Sequence, residues 1–466
     1  MKKVLGVVVA LAMVMGCFAG FSAGAEEVTL PGGFVVDGTV LVKYTGSDAN
    51  VVIPDGITEI GVHAFYDEDC TVVSVVIPEG VTTLKTYAFF ACPLLVSVSI
   101  PSSTSTIEYG NFSSCKSLKE ITVNSGNANY LSAGNVLFNK DKTELILYPA
   151  GKTESTYEIP SSVKTIGRGA FVWCTSLVSM DIPDSVDAIG ASAFSACRSL
   201  ESVSISSNIT IIEGGTFGNC EALKSIDIPQ GVKTIGNSAF YGCYALVSAN
   251  IPSGVESINQ DAFSHCLALK SINIPDGVKT LGDGAFTGCR SLVSVDIPGG
   301  VTTIGFHAFV NCTSLKSVRI SQGVKIIDGR AFYGCSAITS VRIPNSITTI
   351  RYGVFGNCSS LASVYVPGSV TGIDNSELWP SFDKTTTLIV DEDEYAHGWA
   401  EENEHPYIFS FVSSIDSMQD VLDLLRLIVN GVPISAEQVD VADFDLDGDV
   451  DAADALSALK QVMGVA

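Results

Sequence analysis

The 466-residue chain predicts a repeat solenoid, short strands stacked coil upon coil, followed by a small all-α C-terminal module. Three observations predict it. Nine cysteines, Cys174, Cys197, Cys220, Cys243, Cys266, Cys289, Cys312, Cys335 and Cys358, recur every 23 residues. Each closes the same run, L-x-S-V-D-I-P-x-G-V-x-x-I-G-x-x-A-F-x-x-C, nearly intact from Leu223 to Cys243 and from Leu292 to Cys312. After Ser413 the run stops, and two apolar patterns at helical spacing follow, Asp420 to Gly431 and Asp454 to Gly464, which align as duplicates.

Residues 1–25 read as an export signal: Lys2 and Lys3, an apolar run from Val4 to Met15, then Ala23-Gly24-Ala25. Cleavage after Ala25 is one outcome; lipidation at Cys17 within Val14-Met15-Gly16-Cys17 is another, although Met15 suits it poorly. No later stretch approaches the roughly 20 apolar residues of a membrane span. Residues 26–50 are assigned to an N-terminal cap and 51–370 to the array.

Within a coil, Ser294 to Ile297 alternates, so Val295 and Ile297 point inward while Ser294 and Asp296 face water. Pro298 ends this strand and Gly300 turns the chain. Val301, Ile304, Ala308 and Phe309 then return to the same interior, which no single coil can bury alone. Strand anchors from Ile53 to Val366 predict about 14 coils. At about 4.8 Å per strand they form a long sheet of roughly 65 Å. Register fails only between Val123 and Ile159, where Asn129 to Lys152 reads as a degenerate coil with a hairpin at Asn139 to Lys142. Residues 371–412 are expected to cap the array, through Thr387 to Val390, a polar helix near Glu394 to Asn403, and Trp379, Trp399, Tyr407 and Phe409 over the exposed core end.

A net charge of −24 argues against nucleic acid and anionic membranes, which select clustered Lys and Arg. Loss of Cys17 with the leader leaves twelve of the thirteen cysteines. Equivalent positions in stacked coils sit about 4.8 Å apart, beyond the usual Cβ separation of a disulfide, so a row of buried thiols is expected. One thiolate per coil in a straight row also surrounds no metal ion tetrahedrally.

The motif I-P-x-x-V-x-x-I-G-x-x-A-F-x-x-C, recurring from Val51 to Phe411, resembles the BspA-like leucine-rich repeat family of bacterial surface proteins. No Asn or Cys follows L-x-x-L-x-L, so the asparagine-ladder horseshoe is not implied. The resemblance implies a right-handed superhelical array used for adhesion or protein binding and names no ligand.

In the tail (413–466), Asp443, Asp445, Asp447, Asp451 and Asp454 stand at positions 1, 3, 5, 9 and 12 of an EF-hand-type calcium loop, with Gly448 at 6 and Asp449 offering its carbonyl. Aspartate at position 12 and the duplicated helices resemble a dockerin, the calcium-dependent module that plugs into a cohesin. Ser413 to Asp420 lacks the D-x-D-x-D-G loop, so about one ion is expected. The resemblance implies a cohesin-facing surface at Ala452, Ala453, Leu456 and Lys460, with alanine at two positions where dockerins often carry hydroxyls. A calcium module that only folds the tail is the alternative.

Five histidines, His63, His265, His307, His397 and His405, supply no convergent catalytic set, and H-E-x-x-H, G-x-S-x-G and phosphate loops are absent from the sequence. His63 and His307 share the position G-x-H-A-F and are expected to face solvent between coils. The expected binding face is the outward strand column Asp181, Ser204, Asp227, Asn250, Asn273, Asp296, Arg319, Arg342 and Tyr365. Asp296, Arg319, Arg342 and Tyr365 are its candidate contacts. The sequence therefore predicts a secreted or cell-surface binding protein without enzyme activity, anchored by dockerin and cohesin. A free-standing adhesin is the alternative. A protease inhibitor using a projecting loop at Asn129 to Ala150, or a polysaccharide-processing enzyme, is more remote.

Overall fold

A computed structural model describes residues 27–410 except 68, 375–377, 379 and 392–393. Two compact units divide the chain after Leu246. Each coil makes two strands. The first is the alternating S-V-D run, as in Ser294–Ile297, where Val295 and Ile297 are buried and Ser294 and Asp296 exposed. The second is a two-residue strand in the returning run, such as Thr303–Ile304. The single long sheet expected from sequence is thus two columns of short parallel strands. The first column is divided into smaller sheets.

In the first unit, Val28–Leu30, Phe34–Asp37 and Val40–Tyr44 form an antiparallel meander. Val40–Tyr44 then pairs in parallel with Glu59–Ile60, followed by Thr83–Leu84 and Thr106–Ile107. The meander covers the open end of this column, with Phe34, Tyr44 and Phe65 in ring contact at 5.1 and 5.2 Å. In the second unit, Ser257–Ile258, Thr280–Leu281, Thr303–Ile304, Ile326–Ile327, Thr349–Ile350 and Gly372–Ile373 pair in parallel.

The A-F turn is bonded from coil to coil as well: Phe286 N–H donates to Ala308 O at 2.8 Å and Phe309 N–H to Ala331 O at 2.7 Å. Its phenylalanines stack, Phe171, Phe194, Phe217 and Phe240 in the first unit at 4.8–5.6 Å. In the second unit Phe263, Phe286, Phe309, Phe332 and Phe355 stack at 5.3–5.5 Å. Two positions written as x in the motif are left-handed throughout, the residue before A-F (Ser192, Ser238, His307) and the residue before Cys (Asn219, Asn311, Asn357). That conformation explains their enrichment in Gly, Asn, Ser and His.

The irregular segment is a meander within the sheet. Tyr130–Ala133 pairs antiparallel with Val136–Asn139, which pairs antiparallel with Glu144–Leu147. The last strand rejoins the parallel column beside Thr165–Ile166. Gly134 and Asn135, both at positive φ, make a first hairpin turn that the sequence reading missed. The expected second turn is present, Asn139 Oδ1 accepting from the N–H groups of Thr143 and Glu144 at 2.9 and 2.8 Å. Because Val136, Leu137 and Phe138 are all buried, this segment is no projecting loop, and the inhibitor reading loses its basis.

At the other end, the helix Tyr395–Glu402 seats Trp399 against Phe382, ring centroids 6.0 Å apart, over the last phenylalanine of the stack. Tyr407 and Phe409 do not fill the core end. In the strand Tyr407–Phe409 it is Ile408 that is buried, and its two neighbours flank His397 on the opposite face. Trp379 lies outside the described residues.

Candidate functional site

The outward column is exposed from Asp181 to Arg342, and Tyr365 is half-buried. Parallel pairing sets its members side by side: Asp181 beside Ser204, Asp296 beside Arg319, Arg342 beside Tyr365. Ser204 Oγ donates to Asp181, so this part of the column is internally tied. Candidate contacts fall on the second unit. There the Arg342 guanidinium lies 4.1 Å from the Tyr365 ring centre, a cation over an aromatic face.

The Tyr365 hydroxyl reaches Asp391 Oδ2 at 3.5 Å, and Asp391 also accepts from Gly368 N–H and Ser410 Oγ. Burial, then the Asp391 charge, raises the Tyr365 phenol above its ordinary pKa, so it stays a donor at neutral pH. The result is a patch of Arg319, Arg342 and Tyr365, with Asp391 buttressing Tyr365 from just past the strand Thr387–Val390, which the sequence reading did not connect to the column.

The twelve cysteines are buried and unbridged. Their regular role goes beyond filling space. Cys197 Sγ donates to Phe171 O at 3.0 Å, Cys220 to Phe194 O at 3.2 Å, Cys312 to Phe286 O at 3.3 Å and Cys335 to Phe309 O at 3.1 Å. Each thiol thus satisfies the carbonyl of the preceding coil's phenylalanine. Burial raises the Cys243 and Cys358 thiols to about 12, so they remain protonated donors. His63 is exposed, but His307 is half-buried, with Nε2 unpaired among the described residues. Burial and then Arg330 lower its pKa, which corrects the expectation that both histidines face solvent.

The calcium residues Asp443, Asp445, Asp447, Asp449, Asp451 and Asp454 and the cohesin-facing Ala452, Ala453, Leu456 and Lys460 lie outside the described residues. No helix among the described residues is long and apolar enough to cross a membrane.

One feature escaped the sequence reading. Where Thr106–Ile107 ends its sheet, the next strand is missing and the Tyr130 hydroxyl takes its place, accepting from Ile107 N–H at 3.0 Å and donating to Ser105 O at 3.4 Å. A cavity of about 430 Å³ opens there, lined among others by Tyr109, Asn111, Glu144 and Arg168. Its signal was legible: Asn111 occupies the position that is alanine in most copies, such as Ala88 and Ala170.

Fold and surface together define a β-solenoid of about 16 turns, two more than the anchor count predicted, with an outer strand face as its candidate site. The chain belongs to the family described as BspA type leucine rich repeat region, matched over residues 43–154, 150–270 and 256–382. Among solved structures it is similar to a leucine-rich repeat protein from Bacteroides ovatus, with 23% identity, 84% of this chain and 100% of that one covered, and a TM-score of 0.48. A leucine-rich repeat protein from Eubacterium ventriosum gives 22%, 57%, 93% and 0.41, and a leucine rich cell surface protein from Faecalibacterium prausnitzii 21%, 78%, 96% and 0.34. No curated protein matches.

Proposed function

We propose that this is an exported, non-catalytic binding protein of the cell surface. Its repeat array presents the outward column around Asp296, Arg319, Arg342 and Tyr365 to a protein or surface ligand, and its tail anchors it by calcium-dependent docking to a cohesin. The observation that carries the binding role is the Arg342–Tyr365 stack, 4.1 Å apart on an otherwise small and polar strand face. Arg and Tyr are the side chains that most often dominate macromolecular interfaces. Membership of the BspA type repeat family supports the same role. Docking is supported by the oxygen donors of Asp443, Asp445, Asp447, Asp451 and Asp454 at alternate loop positions around Gly448.

Calcium titration of the full chain is expected to show about one site, and immobilised cohesins are expected to retain the chain with calcium and release it with chelator. Asp443→Ala abolishes both. Beads carrying the full chain should adhere to cells through the array, and Arg342→Glu with Tyr365→Ala should cut adhesion at least tenfold. Calcium binding without cohesin capture would reduce the tail to a structural module, and unchanged adhesion in the double variant would remove the strand face as the site.

A further inference from the structure

We propose that the cavity at the broken coil, with the aromatic strip beside it, is a binding site for an uncharged glycan, one sugar ring entering the cavity and neighbouring rings lying along the strip. This goes beyond the strand-face reading and does not depend on it. The cavity, about 430 Å³, falls within the roughly 300–1,000 Å³ usual for small-molecule sites.

Its lining carries hydrogen-bonding groups. Asn111 is 3% exposed, and its amide nitrogen donates to Glu108 O at 2.6 Å, while its buried Oδ1 has no partner among the described residues. Such an acceptor is costly to leave unmet, and Asn111 is among the residues that line the cavity. Glu144 adds a carboxylate, while that of Glu108 is engaged by the Thr86 N–H and hydroxyl at 2.8 and 2.7 Å and by Lys85 at 3.4 Å. Of the donors nearby, Arg168 is stacked 4.3 Å from the Tyr109 ring centre, and the Tyr130 hydroxyl is spent on the strand edge. Ser105, Ser113, Asn129 and Asn139 also line the cavity, so donors and acceptors are mixed there; sugar hydroxyls, each both donor and acceptor, match such a lining.

The walls ask for flat apolar faces. Tyr109 is 46% exposed at the cavity mouth; Arg168 covers one face of its ring and Tyr87 meets it edge to face, centroids 5.4 Å apart. Tyr87 contacts His63 at 5.4 Å and Phe90 at 5.2 Å, and Phe90 contacts Tyr66 at 5.7 Å. The same turn of successive coils therefore carries a strip of rings from Tyr66 to Tyr109. Gly110, at φ +74°, is part of the design, since a Cβ there would meet the Tyr87 ring at 2.4 Å. C–H faces of sugar rings pack on such aromatic surfaces, whereas the chain's net charge of −24 disfavours anionic glycans.

The test is calorimetric titration of the full chain with uncharged gluco-, galacto-, manno- and xylo-configured oligosaccharides, two to four rings long. At least one series is expected to bind, with Tyr109→Ala weakening every length at least tenfold and Tyr66→Ala weakening only the four-ring ligand, by about threefold. Arg342→Ala leaves binding unchanged, which separates this site from the strand face, and thermal unfolding confirms that each variant is folded. The proposal is overturned if no oligosaccharide binds the folded chain, if binding is indifferent to Tyr109→Ala and Tyr66→Ala, or if the Tyr109-dependent ligand proves to be a peptide.

Discussion

The regular coils of the second unit and the broken coil around Tyr130 solve one problem in opposite ways. In the regular coils every neighbour is a copy, so Phe286 stacks between Phe263 and Phe309 and its carbonyl receives the Cys312 thiol. At the broken coil the copy is missing. Tyr130 substitutes for a strand, Tyr148 stacks on Phe171 in place of a repeat phenylalanine, and a cavity opens beside Phe112. Repetition gives a continuous stack, and its interruption coincides with the cavity beside Tyr109.

The largest way to break this contrast is alkali. Cys243 and Cys358 have folded pKa values of about 12 against 9.0 when unperturbed. Between pH 9 and 12 the unfolded chain therefore binds fewer protons than the folded one, and stability falls as pH rises. At about 1.4 kcal/mol per thiol per pH unit, these two remove on the order of 5 kcal/mol by pH 11. Denaturant unfolding between pH 8 and 11 should show that loss, and a flat profile would mean that the thiols are not held as buried donors. Phe286→Ala is next, since it removes a fully buried ring stacked on both sides, at about 3–5 kcal/mol in urea unfolding.

Two tyrosines of the broken coil sharpen the comparison because the same substitution should have opposite signs. Tyr130→Phe orphans the Ile107 N–H at the sheet edge and should destabilise by about 1–2 kcal/mol. Tyr148→Phe removes a buried hydroxyl with no partner among the described residues, and should be neutral or stabilising by up to about 1 kcal/mol while restoring the repeat residue. Equal losses in the two would show that Tyr148 has a hydrogen bond after all. Smallest is Lys279→Ala, whose exposed pair with Glu256 at 2.9 Å joins adjacent coils; below about 1 kcal/mol is expected, vanishing at high salt.

Much of this was legible because repetition averages out local ambiguity. Val295, Ile297, Val301, Ile304, Ala308 and Phe309 were read as interior from one sentence of sequence, and all six are buried. Asn111 in an alanine position was equally visible, yet its meaning needed the missing neighbour beside it. The Asp391 buttress under Tyr365 was not legible, since it comes from the strand Thr387–Val390 and its margin, beyond the last clear copy of the motif.

By itself, then, the sequence determined the coil: the apolar periods, the proline that ends most first strands, the cysteine that closes most turns. These are local or strictly periodic constraints, and every copy repeats the same chemistry to its neighbour. Only the tertiary structure decided the second strand column, the thiol-to-carbonyl bonds, and the tyrosine that stands in for a strand above the cavity. The physical reason is that backbone polar groups must be satisfied by whatever lies beside them, and what lies beside Ile107 is a residue 23 positions away on a segment that breaks the period.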